Sequence, residues 1–387
     1  SAEVAGAYGD AELTFGPEYL IPKPFDPRLI ARIAPAVAKA AMDSGVATRP
    51  IADLEAYAEK LTEFVYKTSL FMRPVFNQAR KDIKRIVLTE GEDERVLHAA
   101  QQVVSQKLAF PILVGDAKLI EERLHSQGLT IQPGKDFELV DIKNSPYYEA
   151  SWKEYYNLRK RKGVTEEMAR RRLKANSTLV GALLVRLGHA DGLVCGTMGR
   201  FHDHFAVMEE VIGYNNPEKE AFAMNALISN KGNFFIADTY INENPTAEQL
   251  ANGTLMCAAE MKRFGLKPKV ALVSNTNYGS NRNPDANKMQ QALEMIRELD
   301  PELEIDGEMQ ADVALDETMR KSIFPETTLN GAANLLVMPN VEAANISYNL
   351  LRVNATNGIT VGPILMGLNK PVQIVTPIST VRRIVNM

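Results

Sequence analysis

The sequence has two cysteines, one tryptophan and five histidines in 387 residues. Cys195 and Cys257 are isolated from each other, so they make neither a disulfide framework nor a zinc site, and a reducing cytoplasm is the expected setting. No apolar run approaches the roughly 18 residues of a membrane span. No basic-then-apolar leader opens the chain, so export is not expected. Neither sign of charge dominates: 44 Lys and Arg face 48 Asp and Glu, a net charge of −4. That balance gives no support for a nucleic-acid binder held by a basic field. There is no GxGxxG after a strand, no GxxxxGK[ST], no GxSxG and no HExxH. The standard dinucleotide fingerprint, the P-loop, the nucleophile elbow and the zincin helix are thereby set aside.

What remains is ordinary globular composition, 45% hydrophobic and 24% charged, at a length that suits two or three domains. The first 80 residues differ in texture from the rest. GPEYLIPKPFDP (16–27) holds four prolines in twelve positions and reads as ordered but irregular. RLIARIAPAVAKAAMDSGVA (28–47) is alanine-rich and helical in pattern, ending at Gly45. Ile51, Leu54, Ala58, Leu61, Val65, Thr68, Met72 and Val75 then follow steps of three and four. They lay one stripe along a helix that Pro74 is expected to kink or end. The stripe needs a partner, either its own domain or a coiled-coil mate.

From residue 84 strands alternate with helices. Predicted strands are 85–90, 111–115, 137–142, 192–196, 234–238, 269–275, 303–309, 334–340 and 371–377, with helices between them at 94–109 and 287–299. Most strands carry continuous apolar cores, as where both faces of a sheet are covered. The fold class is therefore α/β, with a mostly parallel sheet and ligands bound outside the carboxyl ends of the strands.

Four strand-end or helix-end stretches carry polar chemistry. SNTNYGSNRNPDANK (274–288) offers short polar side chains and a helix start. It suits an anion such as phosphate, or it is a polar turn capped at Asn283 or Asp285. GTMGRFHDHF (196–205) presents His202, Asp203 and His204. Two histidines two residues apart point to different sides of a helix, so a surface or cleft histidine is favoured over a metal ligand. Glu304, Asp306 and Glu308 fall at alternate positions, hence on one strand face, and either serve acid/base chemistry or meet water at a strand end. Arg159, Lys160, Arg161 and Lys162 end a predicted helix. Complementing the helix C-terminus accounts for most of them, and one or two are free to reach an anionic substrate. Composition and spacing alone stop at a cytoplasmic α/β protein with an anionic ligand.

From about residue 84 onward the chain resembles phosphotransacetylase. The likeness rests on an ordered set: LRKRKGVT (158–165), GHADGLVCG (188–196), FFIADTYINENPTAEQL (234–250), KPKVALVSN (267–275), LEIDGEMQADVAL (303–315), ANLLVMPNVEAANISYNLL (333–351) and VGPILMGLNKPV (361–372). Residues 1–65 resemble the closing segment of a malic enzyme, through FGPEYLIPKPFDPRLI (15–30) and AVAKAAMDSGVATRPIADLEAY (36–57). That order is the order of the large multidomain NADP-dependent malic enzymes of bacteria. The resemblance implies a two-lobed fold shared with the isocitrate dehydrogenase group, preceded by helical segments. Residues 1–50 would be the malic-enzyme tail and 51–81 a connecting helix. Residues 82–211 plus 363–387 would form one lobe and 212–362 the other, with the site in the cleft between them. It also implies a parent that oxidatively decarboxylates malate to pyruvate with NADP and a divalent metal, Mg or Mn, whose residues lie upstream. No cofactor and no metal site is expected in this segment.

The same resemblance exposes a departure. Working phosphotransacetylases end in a pattern like L-S-R-G-C-S followed by an acid. The serine and arginine assist at acetyl phosphate, and the acid takes the CoA thiol proton. Here VTPISTVRRIV (375–385) puts Thr376 at the serine, Pro377 at the arginine and Arg383 at the acid, while Ala206 stands where the family pattern has another arginine and Arg159 matches a third. A thiol of pKa near 8.5 needs a base at neutral pH, which an always-charged guanidinium cannot be. Losing general-base help costs about 10²–10⁴ in rate. Candidate acetyl-CoA residues are Asn275, Thr276, Asn277, Tyr278 and Ser280 from the polar loop, Gln310 from the next strand end, Arg159, and Thr376 and Arg383 from the C-terminal stretch. Three roles follow: a catalytically silent acyl-CoA sensor, an active phosphate acetyltransferase using other residues, or a structural oligomerisation module. Expected partners are acetyl-CoA or a related acyl-CoA, the malic-enzyme domain, and further copies of the chain through the phosphotransacetylase-like part. No nucleic acid and no membrane are expected.

Overall fold

In the computed structural model the described residues are 27–65, 67–229, 232–281, 283–354 and 359–387. The proline-rich stretch 16–27 lies almost wholly outside them. The chain divides into two units, Ser1–Pro74 and Val75–Met387. In the first, helix Pro27–Asp43 packs on helix Leu54–Val65, and the Ile51 amide donates to Met42 Sδ at 3.2 Å. Asp53 Oδ1 accepts from the Ala56 amide at 2.9 Å, so the second helix starts after Ile51 rather than at it. A further helix, Lys67–Lys81, contains Pro74, which therefore does not end it.

The second unit holds two sheets. One has order β11-β4-β1-β2-β3 and is parallel throughout: β1 Lys84–Leu88, β2 Ala109–Val114, β3 Glu138–Val140, β4 Gly192–Cys195 and β11 Val372–Ile374. Successive residues feed opposite cores. Val87, Leu193 and Ile374 pack with helices Tyr148–Arg159, Ser177–Arg186 and Phe201–Val211. Leu88, Val194 and Val375 pack with helices Glu94–Ser105, Ala117–Ser126 and Val381–Val385. That is why these strands read as unbroken apolar runs, each buried Leu or Val worth about 1.5–3 kcal/mol.

The other sheet has order β10-β5-β6-β9-β7-β8: β5 Phe222–Ser229, β6 Gly232–Ala237, β7 Lys269–Val273, β8 Glu304–Met309, β9 Leu335–Val337 and β10 Ile359–Met366. The α/β reading holds, but this sheet is mixed, because β5 runs antiparallel to both neighbours. Neither β5 nor β10 was among the predicted strands. Gly362 and Pro363 interrupt β10, a combination tolerated because β10 is an edge strand whose register shifts between Val361 and Ile364. β10 also carries the second sheet to Met366, past residue 362.

The chain crosses between the sheets twice, and the two crossings are bonded together. Asn369 N donates to Gly213 O at 2.9 Å and Asn215 N to Gly367 O at 3.0 Å. Beside them the Gln373 amide pairs with both backbone groups of Leu365, at 2.8 and 3.3 Å. The two lobes are thus joined at the β10–β11 corner.

Candidate functional site

The polar loop follows β7 and is organised on one carboxylate. Glu308, fully buried, accepts from Ser274 Oγ at 2.5 Å, Thr276 Oγ1 at 2.6 Å and the Gly279 amide at 2.7 Å. Leu272 pairs with Gly307 but Val273 pairs with Met309, so Glu308 is an extra residue in the β7–β8 pairing. The expected alternation of Glu304, Asp306 and Glu308 therefore breaks. None of the three ends in plain water: Asp306 accepts from Thr327 Oγ1 at 2.6 Å and Arg297 Nη2 at 3.2 Å, and Glu304 pairs with Lys267 at 2.7 Å. Glu304 is buried enough to be pushed up, yet the Lys267 and Asn330 hydrogen bonds hold it below its ordinary range.

The loop displays Asn275, Asn277, Ser280 and Gln310 as one hydrogen-bonded group. Asn277 and Gln310 bond reciprocally, Asn277 Nδ2 to Gln310 Oε1 at 2.9 Å and the Gln310 amide to Asn277 Oδ1 at 2.8 Å. Asn275 Oδ1 accepts from Asn283 Nδ2 at 3.0 Å, and Ser280 Oγ from the Asn277 amide at 3.2 Å. Tyr278 stacks on Phe324 at 4.3 Å between centroids, and burial pushes its phenol up to about 12. Asn283 caps helix Pro284–Leu299 through the Ala286 amide. The capped turn is therefore real, and beside it Asn275 and Gln310 are exposed while Asn277 is half-buried and bonded to Gln310.

The C-terminal candidates form a second group, at the carboxyl end of β11. Thr376 is buried, with its amide on Ser379 Oγ at 3.1 Å. Arg95 clamps this turn from below: Nη1 donates to Pro377 O at 2.5 Å and Ser379 O at 3.1 Å, while Nη2 donates to Thr197 O at 2.9 Å and Asp93 at 2.6 Å. Burial would raise the Asp93 carboxyl, but its hydrogen bonds to Arg95 hold it below the usual range. Arg383 does not face open solvent. It is 6% exposed, and its guanidinium donates to Gly362 O at 2.7 Å, Tyr348 Oη at 3.3 Å and Asn225 Oδ1 at 3.4 Å.

Arg159 belongs to a third group. It pairs with Glu210 at 3.1 Å, and Glu210 is shared with Arg172 at 3.1 Å and with the Tyr155 hydroxyl. Two guanidiniums on one carboxylate leave the group positive. Arg159 Nε is buried without a hydrogen bond, a donor still to be satisfied. Ala206, on the same helix as Glu210, is exposed.

A cavity of about 330 Å³ lies elsewhere, over the ends of β1, β2 and β4. None of the candidate acetyl-CoA residues lines it. Its walls carry Glu90, Glu92, Asp93 and Asp203 with no lysine or arginine, the wrong sign for a polyphosphate. Burial raises the Glu90 carboxyl against the pull of the Gly196 amide. His204 is on this wall, with Nδ1 2.8 Å from Thr178 Oγ1 and Nε2 donating to Met198 O at 2.7 Å, which matches the expected cleft histidine. Among the described residues no group of three or more His, Cys, Asp or Glu is placed to hold a metal.

Sequence reasoning missed Arg95, Asn225 and Tyr348. Two had a signal: Arg95 closes an acidic EGEDER turn after β1, and Asn225 is a lone amide inside the apolar run FAMNALIS.

Residues 70–387 match the family model described as phosphate acetyl/butaryl transferase. The chain belongs to this family. A phosphotransacetylase structure from Staphylococcus aureus superposes with a TM-score of 0.74 at 30% identity, covering 82% of this chain and 96% of that one. One from Streptococcus pyogenes also gives 0.74, at 28% identity, over 81% and 95%. The NADP-dependent malic enzyme of Salmonella typhimurium is 58% identical over all 387 residues, which make up 51% of that protein. The phosphate acetyltransferase of Corynebacterium glutamicum is 34% identical over 82% of this chain and 95% of its own. The chain thus spans about half the length of the malic enzymes it matches, and corresponds to their phosphotransacetylase-like part. No helix among the described residues is long and apolar enough to cross a membrane.

Proposed function

We propose that this chain is the acyl-CoA-sensing regulatory part of a malic enzyme that oxidatively decarboxylates malate with NADP and a divalent metal, and that it does not itself turn over acetyl phosphate. The observation that carries the reading is the environment of Pro377 and Arg383. Where the family pattern puts an arginine, the backbone offers only an acceptor, the Pro377 carbonyl, and it is already held by Arg95. Where the pattern puts an acid, a buried guanidinium sits on two acceptor oxygens and a phenol hydroxyl. A carboxylate in that place would face Gly362 O and Asn225 Oδ1, so the surroundings are built for a donor.

Binding does not need the missing proton acceptor. The amide-rich loop at 275–280, Gln310 and the positive Arg159–Arg172 group supply the polar and anion contacts for an acyl-CoA, with Thr376 at the turn. Linkage then requires acetyl-CoA to prefer one arrangement of the lobes, a bias passed to the malic-enzyme part through the covalent connection at 51–81. Malic enzymes 58% identical to the chain support this parentage.

Two measurements test it. Isothermal titration of the chain with acetyl-CoA is expected to give saturable binding, and no heat at millimolar ligand removes the sensor. Acetyl transfer between acetyl phosphate and CoA is expected to be at least 10²-fold below that of the Corynebacterium glutamicum phosphate acetyltransferase. Turnover comparable to that enzyme makes the chain an active transferase instead.

A further inference from the structure

We propose that Arg383 is a positioning residue that fixes the two lobes of the acyl-CoA cleft against each other. This deepens the sensing reading and rests on it for the ligand. Helix Val381–Val385 belongs to the first lobe: Ile384 is in the core with Leu88, Val194 and Val375, and the helix packs on Glu94–Ser105. Every acceptor of the Arg383 side chain is in the second lobe. Gly362 is in β10, Asn225 in β5 and Tyr348 on helix Val341–Asn354. One side chain thus ties the first lobe to three elements of the second.

Each acceptor is fixed. Asn225 Nδ2 donates to Thr239 Oγ1 at 2.7 Å, which turns its carbonyl oxygen toward the guanidinium. Asn225, Thr239 and Tyr348 are all buried. Gly362 has φ +116 and an added Cβ would lie 2.8 Å from Met224 O, so its backbone is fixed by close packing on β5. Among the described residues no carboxylate is a hydrogen-bond partner, so the guanidinium acts as a multi-pronged donor and not as half of an ion pair. Lysine, whose three donors share one nitrogen, can reproduce only part of the reach of the planar guanidinium.

The tie also lies next to the candidate ligand turn. The Thr376–Ser379 turn precedes the same short helix, and Thr380 caps it by accepting from the Arg383 amide at 3.3 Å. A change of lobe spacing would therefore move Thr376. The position that the resemblance gives to an acid would then serve as a joint, through which a cleft without that acid would respond to a ligand.

The test uses the chain with Arg383→Gln, Arg383→Lys and Tyr348→Phe, read by acetyl-CoA titration and by amide hydrogen exchange without ligand. The glutamine variant is expected to bind acetyl-CoA at least tenfold more weakly and to exchange faster across 359–366 and 341–354. Lysine should recover part of both, and phenylalanine should shift both in the same direction by less. Wild-type exchange and affinity in the glutamine variant overturn the proposal. An equal loss in the lysine and glutamine variants, with Tyr348→Phe unchanged, also overturns it, since that pattern is bulk packing. If the wild type binds no acetyl-CoA, the sensing reading fails. The exchange data then decide the joint alone: faster exchange confined to those segments supports it, and unchanged exchange overturns it.

Discussion

The two strand-end groups are built with opposite polarity. At the β7–β8 loop an anion is central and donors surround it: Glu308 gathers Ser274, Thr276 and the Gly279 amide, all from one lobe. At the β11 turn cations are central and carbonyls surround them: Arg95 gathers Pro377, Ser379 and Thr197, and Arg383 gathers groups of the other lobe. The first arrangement is complete within one lobe. In the second, Arg95 also stays within its own lobe, and only Arg383 depends on both lobes staying in place.

The sharpest way to break that contrast is Glu308→Ala. It leaves the Gly279 amide without its acceptor and the Ser274 and Thr276 hydroxyls with only each other and the Thr276 carbonyl, and the expected loss is about 3 kcal/mol in urea denaturation. Glu308→Gln keeps one acceptor oxygen and should lose less. A loss under about 1 kcal/mol for the alanine variant would show that the loop does not hang on this carboxylate.

The sequence revealed the parallel strands because their residues feed cores on both faces. Val87 beside Leu88 and Leu193 beside Val194 are apolar whichever way they point. It hid β5 and β10 because Asn225, Gly362 and Pro363 punctuate them, and those residues are there for the lobe joint and an irregular edge. The loop at 274–283 was legible as a polar helix start, since capping chemistry is local. Glu308 was misread as one of an alternating row, because an inserted residue in a strand pair leaves no trace in a single strand's pattern. Arg383 drew notice in the sequence through likeness to the family, as the residue that the resemblance sets at the acid position. Its commitment to Gly362, Asn225 and Tyr348 was not legible, because those partners sit on three separate elements of the other lobe, with Asn225 158 residues away, and share no local pattern with Arg383.

The turn at β11 is sharpened by Asp93→Asn. Asparagine keeps the cap on helix Glu94–Ser105, accepting from the Arg95 amide as Asp93 does, so what is removed is the charge that orients the Arg95 side chain. The expected loss is about 1 kcal/mol at neutral pH. Asp93 is held below its ordinary value in the folded chain, so its contribution is complete above the unfolded pKa of about 3.9 and fades as pH falls through the lowered one. Wild-type and variant stabilities should therefore converge in acid. A constant gap down to pH 2 would show that the carboxylate's charge is not what holds Arg95.

The smallest effect is expected at Tyr278→Phe, and it separates packing from polarity within the loop itself. The ring stacks on Phe324, while the hydroxyl reaches Asp306 only at 3.4 Å, a weak contact. Removing the oxygen should change stability at pH 7 by no more than about 0.5–1 kcal/mol. The alkaline side is more telling. Burial pushes the folded phenol up to about 12, whereas the unfolded one ionises near 10. The wild type should match the variant below pH 10 apart from that constant offset. It should then lose stability relative to it as pH climbs from 10 toward 12, because unfolding releases a proton that the folded chain retains. Parallel curves through that window would mean that the hydroxyl is open to water, and that the stack on Phe324 leaves the ring edge as exposed as the amides beside it.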